Sequence, residues 1–135
     1  MPLKGQCNCG AIQVSVDDDA AEKSQPIFCH CSNCRRQSGA LGTYVSMYPD
    51  ADVTITGSPK DYEDRSTDSG TLLHRWFCGA CGCPIMSTSE RLPGMKIIKM
   101  GLFDKIHKPN AEIYCKNKNE WEPVVEGTAR LQGAF

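Results

Sequence analysis

Long apolar runs are absent from this sequence. No stretch approaches the ~20 residues that a membrane-spanning helix needs, and the opening MPLKGQCNCG has no apolar core of the kind a secretory signal carries. Membrane partners are therefore not expected, and the expected location is cytoplasmic. An excess of charge of one sign is also absent. Fifteen Lys and Arg stand against sixteen Asp and Glu, a formal charge of −1, so nothing calls for nucleic acid or an anionic surface as a partner. Sustained helical periodicity is missing too, with no apolar 3.6-residue repeat lasting beyond about three turns.

What is present reads as a mainly β fold. A chain of 135 residues sits near the commonest domain size, and a single domain over residues 1–135 with short helical turns is expected. Ile12, Val14 and Val16 alternate onto one face of AIQVSV, as do Val53 and Ile55 of DVTIT, while TLLHRWF, MKIIKM and AEIYC are short β-rich runs. DDDAAEKSQP, DADVTITGSPKDYEDRSTDSG and SERLPG carry turn chemistry. The acidic run Asp17, Asp18 and Asp19 is read as a solvated turn.

Cysteine is the residue in surplus. There are nine, an odd number, and a reducing compartment disfavours structural disulfides, so metal ligation is the leading account of the clustered thiols. Cys7 and Cys9 lie in GQCNCG, Cys29, Cys31 and Cys34 in FCHCSNC, and Cys78 and Cys81 in FCGACG; Cys83 and Cys115 stand apart. Cys-x-x-Cys-Gly is a zinc knuckle, in which a tight turn aims two sulfurs at one metal and the following Gly82 takes φ > 0. Cys9 is likewise followed by Gly10. Cys7, Cys9, Cys78 and Cys81 together fill a tetrahedral zinc site with four thiolates, which would tie the first strand to one far along the chain and stabilise the fold.

The middle cluster has three thiols and no evident fourth ligand. If residues 29–31 run extended, Cys29 and Cys31 share a face and His30 points to the other, where packing or a hydrogen bond behind the ligands suits it better than ligation. Ser32 is expected to N-cap a short helix ended by Gly39, with Cys34 in its first turn, where the dipole and Arg35 and Arg36 favour a thiolate. Zinc with three protein ligands and an open position belongs to a catalytic site. Three thiolates make it a weak Lewis acid whose natural fourth ligand is soft, such as a substrate thiol. The alternative is a second closed site completed by Cys83, Cys115, His74 or His107.

GQCNCG, CHCSNCRRQSGA and FCGACG in that order, with the late GLFDKIHKPNAEIYCKNKNEW, resemble the glutathione-dependent formaldehyde-activating enzyme family, which includes centromere protein V. The resemblance implies a β-tent fold carrying two Zn2+ per chain. Cys7, Cys9, Cys78 and Cys81 would hold the structural zinc, and Cys29, Cys31 and Cys34 the catalytic one. The family's named activity joins glutathione and formaldehyde, a carbon–sulfur lyase chemistry, and implies a small thiol or S-conjugate as substrate, with Arg35 or Arg36 beside the developing oxyanion. Selectivity is expected in the segments 40–50, 57–70 and 88–94. Tyr44, Tyr48, Trp76 and Phe77 are read as core residues or as the lining of an apolar pocket. Two rival readings are a non-catalytic zinc module, for which the chain lacks a basic stripe, and a thiol redox enzyme cycling CGACGC.

Overall fold

The computed structural model describes residues 3–134, and over these the chain is mainly β. The strands are β1 (Leu3–Gln6), β2 (Gln13–Val16), β3 (Ile27–Cys29), β4 (Thr43–Pro49), β5 (Val53–Thr56), β6 (Lys60–Asp64), β7 (Leu73–Phe77), β8 (Pro84–Ser89), β9 (Met95–Lys99), β10 (Ala111–Ile113) and β11 (Ala129–Arg130). Two short helices interrupt them, α1 (Asp18–Glu22) and α2 (Ser32–Ser38). Neither is long and apolar enough to cross a membrane, and no other helix among the described residues is.

The strands form two sheets. The smaller has the order β1-β2-β5 and the larger β11-β10-β3-β4-β9-β8-β7-β6. β10 runs parallel to both β3 and β11, and every other pairing is antiparallel. An isolated bridge from Gly5 to Phe103 carries the small sheet onto the segment after β9.

The core lies between the sheets. Val14, Val16 and Val53 from the small sheet, with Ile12 just before β2, cluster with Tyr48, Ile85, Met86, Ile98 and Met100. Strand alternation gives the large sheet a second face. Val45 and Met47, Ile97 and Lys99, Ser87 and Ser89, and Leu73 and Arg75 all line a cavity of about 410 Å³, while Ser46, Met86 and Ile98 on the same strands are buried.

Several elements differ from the sequence reading. Residues 43–49 and 60–64, for which the sequence suggests no strand, are β4 and β6, and the PIMSTS run is β8. The acidic turn is the first part of α1, which begins after Asp17 and buries Ala21. AEIYC pairs only through Ile113, because Tyr114 takes φ 55. Helix α2 ends at Gly39 (φ 69) as expected, but its N-cap is Cys31 rather than Ser32: the Cys31 sulfur accepts the Cys34 backbone N–H at 3.2 Å. The cap has moved back one residue because a thiolate-capable sulfur takes the place of a hydroxyl.

Candidate metal and thiol site

Two equivalent turns bring four cysteines together. Cys7 opens the turn between β1 and β2, where its N–H donates to the Ile12 carbonyl at 3.1 Å; Cys78 opens the turn between β7 and β8, where its N–H donates to the Cys83 carbonyl at 2.9 Å. Gly10 and Gly82 both take φ 78, a left-handed conformation that fits glycine and lets each loop close tightly. The four Sγ atoms of Cys7, Cys9, Cys78 and Cys81 lie within 4.8 Å of one another, with Cys7–Cys9 and Cys9–Cys78 both at 3.7 Å. Sulfurs on a tetrahedron with ~2.3 Å metal bonds stand roughly 3.8 Å apart, whereas a disulfide needs ~2.05 Å. All nine cysteines are free. The donor set therefore fits a tetrahedral thiophilic ion.

The protonation of this quartet points the same way. The Ile12 N–H, donating to Cys7 Sγ at 3.3 Å, is the main cause that brings the Cys7 thiol down to about 6. Cys9 receives help from the Ala11 N–H, yet the neighbouring Cys7 and Cys78 sulfurs push it up to about 11. Four sulfurs this close resist losing their protons together without a cation among them.

The second cluster is local. Cys29 ends β3, Cys31 caps α2 and Cys34 sits in its first turn, with the three Sγ atoms within 4.8 Å of one another. No histidine, carboxylate or other cysteine joins them at that distance among the described residues. Cys29 and Cys34 are buried. Hydrogen bonds with Cys29 and Cys31, aided by the charges of Lys99 and Arg75, hold the Cys34 thiol far below its ordinary value, while Cys31 and Cys34 drive the Cys29 thiol far up.

His30 faces away from the sulfurs. It is 2% exposed, its Nε2 lies 2.8 Å from Glu112 Oε1, and its Nδ1 lies 3.7 Å from Glu122 Oε1. Lys118 Nζ donates to the same Glu112 oxygen at 3.2 Å. This buried network anchors the ligand loop to β10 and to the segment beyond it.

Cys29, Cys31 and Cys34 open into the 410 Å³ cavity, together with two buried cations that the sequence did not single out, Arg75 and Lys99, and the exposed Arg91. Arg75 Nε donates to Asp64 Oδ2 at 2.7 Å in a buried ion pair. Burial opposes the Asp64 charge, but hydrogen bonds from Asn33, Arg75 and Ser66 outweigh it and hold that carboxyl at about 2. Lys99 is 6% exposed, and burial pushes its ammonium down against the pull of Cys34. Arg35 is half-buried on α2 and is not among the cavity's lining residues, and Arg36 is exposed beside a smaller cleft with Gln37 and Tyr62. One helical residue rotates the side chain by about 100°, so adjacency to Cys34 in sequence turns Arg35 aside.

The remaining candidates separate from the site. Cys83 packs against the core and Cys115 donates to the Glu112 carbonyl, neither within either cluster. His74 pairs with Asp61 at 2.8 Å on β6 and β7. Tyr48 is in the core, with Tyr44 and Trp76 packed against it, and none of the four aromatics lines the cavity. The segments expected to set selectivity each supply lining residues to the cavity, Val45 and Met47, Thr67 to Ser69, and Ser89, Arg91 and Leu92.

The profile described as glutathione-dependent formaldehyde-activating enzyme matches residues 2–117, a span that includes every cysteine of both clusters. The chain belongs to that family. It is 25% identical over 97 residues to a Sordaria macrospora protein provisionally named glutathione-dependent formaldehyde-activating enzyme, a match covering 67% of this chain and 39% of that protein. The chain thus spans about two fifths of that relative's length. A Rhodobacter sphaeroides crystal structure is similar in fold, with a TM-score of 0.57 at 21% identity over 78% of this chain and 91% of that one. Relatives in the family are named as enzymes, and the two cysteine groups suit a metal such as zinc.

Proposed function

We propose that this chain is a zinc-dependent carbon–sulfur lyase that joins a small thiol to an aldehyde or releases one from a thiol adduct. Cys7, Cys9, Cys78 and Cys81 would hold a structural zinc, and Cys29, Cys31 and Cys34 a second one. The observation that carries the reading is the three-sulfur cluster, which has no fourth protein ligand at its distance among the described residues and opens into a cavity. When bound there, zinc supplies a soft Lewis acid that favours a thiol's deprotonated form.

The chain's own residues account for the rest. In the forward direction the thiol sulfur attacks the carbonyl carbon, a C–S bond forms, and the carbonyl π pair moves to oxygen. That oxygen collects the proton the thiol gives up, so no oxidant or reductant is needed. The Lys99 ammonium, on the cavity face, supplies positive charge beside the sulfurs where the sequence suggested Arg35 or Arg36, and so favours a deprotonated thiol. Arg75, held by Asp64, adds a fixed positive charge near Cys34. Apolar side chains such as Leu73 and Ile97 keep water from competing.

The test is to incubate the zinc-loaded chain with thiols and formaldehyde and to follow the S-hydroxymethyl adduct by NMR exchange. Acceleration lost in Cys31→Ser supports the proposal. Adduct exchange no faster than in buffer, at full zinc content, counts against it.

A further inference from the structure

The cavity in front of the three-cysteine cluster has apolar walls, a small polar floor and a more exposed polar edge that includes Asp68, Ser69 and Arg91. Val45, Met47, Leu73, Ile97 and Ile113 form the walls. On the floor, Ser87 is 2% exposed and its Oγ has no hydrogen-bond partner. Lys99 is buried as well, at 6% exposure, and among the described residues its ammonium has neither a hydrogen bond nor a carboxylate partner. Strand register puts both on the cavity face, with Lys99 across from Val45 and Ser87 between Ile97 and Arg75. Arg75 is already committed to Asp64. A buried hydroxyl and a buried ammonium without acceptors each cost free energy that an oxygen from a ligand would recover.

We propose that the thiol taken here is compact and apolar and carries one carboxylate, with a carboxylate oxygen received by Lys99 Nζ and Ser87 Oγ and its apolar body set against Met47, Leu73 and Ile97. This rests on the reading of Cys29, Cys31 and Cys34 as the thiol site. A tripeptide thiol such as glutathione brings two carboxylates, an ammonium and two amides. At the floor one deep cation and one hydroxyl satisfy a single acceptor group. Among the described residues the other unpaired charge on the lining, Arg91, is exposed, and Asp68 is exposed and paired with Lys116. The further charged groups of a tripeptide would therefore be met only at the solvent side, where such pairs contribute little. The volume, about 410 Å³, lies toward the small end of the ~300–1,000 Å³ that small-molecule sites span.

Calorimetric titration of the zinc-loaded full chain distinguishes the cases, using α-sulfanylhydrocinnamate, its carboxamide, hydrocinnamate without the thiol, and glutathione. The expected order is α-sulfanylhydrocinnamate tightest, about tenfold or more ahead of glutathione, with hydrocinnamate weakest. Lys99→Met and Ser87→Ala should each shrink the preference for carboxylate over carboxamide, while zinc content and melting temperature report whether either variant is misfolded. Glutathione binding as tightly as α-sulfanylhydrocinnamate overturns this inference and leaves the thiol site standing. A carboxylate preference unchanged in both variants overturns the floor assignment. If no thiol binds better than hydrocinnamate, the thiol site fails and the inference fails with it.

Discussion

Replacing one ligand in each cysteine cluster should separate a loss of stability from a loss of chemistry. Cys9 and Cys78 are 69 positions apart, so a metal shared between them closes a long loop, whereas Cys29 to Cys34 closes only about six residues. Treating each metal as a cross-link, the loop-closure relation gives about 4 kcal/mol for the long loop and about 2 kcal/mol for the short one. Metal–sulfur bonding is lost in either variant and largely cancels in the comparison. Cys78→Ser should therefore cost about 2 kcal/mol more than Cys31→Ser, which in a domain this size is a melting temperature lower by roughly 8 °C. The assay is calorimetric unfolding of both variants and the parent, with zinc measured on the same samples. Equal melting temperatures for the two variants, each lacking one zinc, would refute the division into a fold-closing site and a local one.

Three other outcomes are expected. Asp64→Asn leaves the buried Arg75 guanidinium without its partner and should destabilise the fold by about 3 kcal/mol in chemical denaturation. In the parent, because the folded Asp64 carboxyl is held below its ordinary 3.8 at about 2, its contribution is full above about pH 4 and fades as pH falls toward 2; acid titration of Asp64→Asn should lack that component. Ile98→Ala empties a site with 0% exposure and should cost about 2–5 kcal/mol in the same denaturation assay. His30→Ala strips Glu112 of its 2.8 Å partner and should cost about 1–3 kcal/mol, measured as a shift in denaturation midpoint, while zinc stays bound at the four-cysteine site.

Much of the candidate site was legible because its geometry is local. The spacing within GQCNCG, FCHCSNC and FCGACG fixes how close the sulfurs lie within each motif, and alternation alone turned His30 away from them. The strands with one polar face, β2 and β5, were legible for the same reason. β4 was not, since TYVSMYP lies between the core and the cavity and loses the contrast between wet and dry positions. β6 is an edge strand with four exposed positions, so KDYED has no apolar period to read. Lys99 and Arg75 were passed over because a cation in a strand ordinarily marks solvent. Their position inside apolar runs, MKIIKM and TLLHRWF, was the signal available.

The two-faced large sheet has a consequence for how such a protein can change. On β4, β7, β8 and β9 the residues lining the cavity, Val45, Met47, Leu73, Arg75, Ser87, Ser89, Ile97 and Lys99, all bear odd numbers, and the core-facing Ser46, Tyr48, Met86 and Ile98 bear even ones, with the buried Ile85 at the start of β8 as an odd-numbered exception. Selection on ligand preference and selection on folding therefore act on interleaved, nearly separate sets of codons. A library that randomises Met47, Leu73, Ser89 and Ile97, none of them fully buried, and leaves Arg75 with its Asp64 partner and the even-numbered neighbours alone would sample new substrates at little risk to the scaffold.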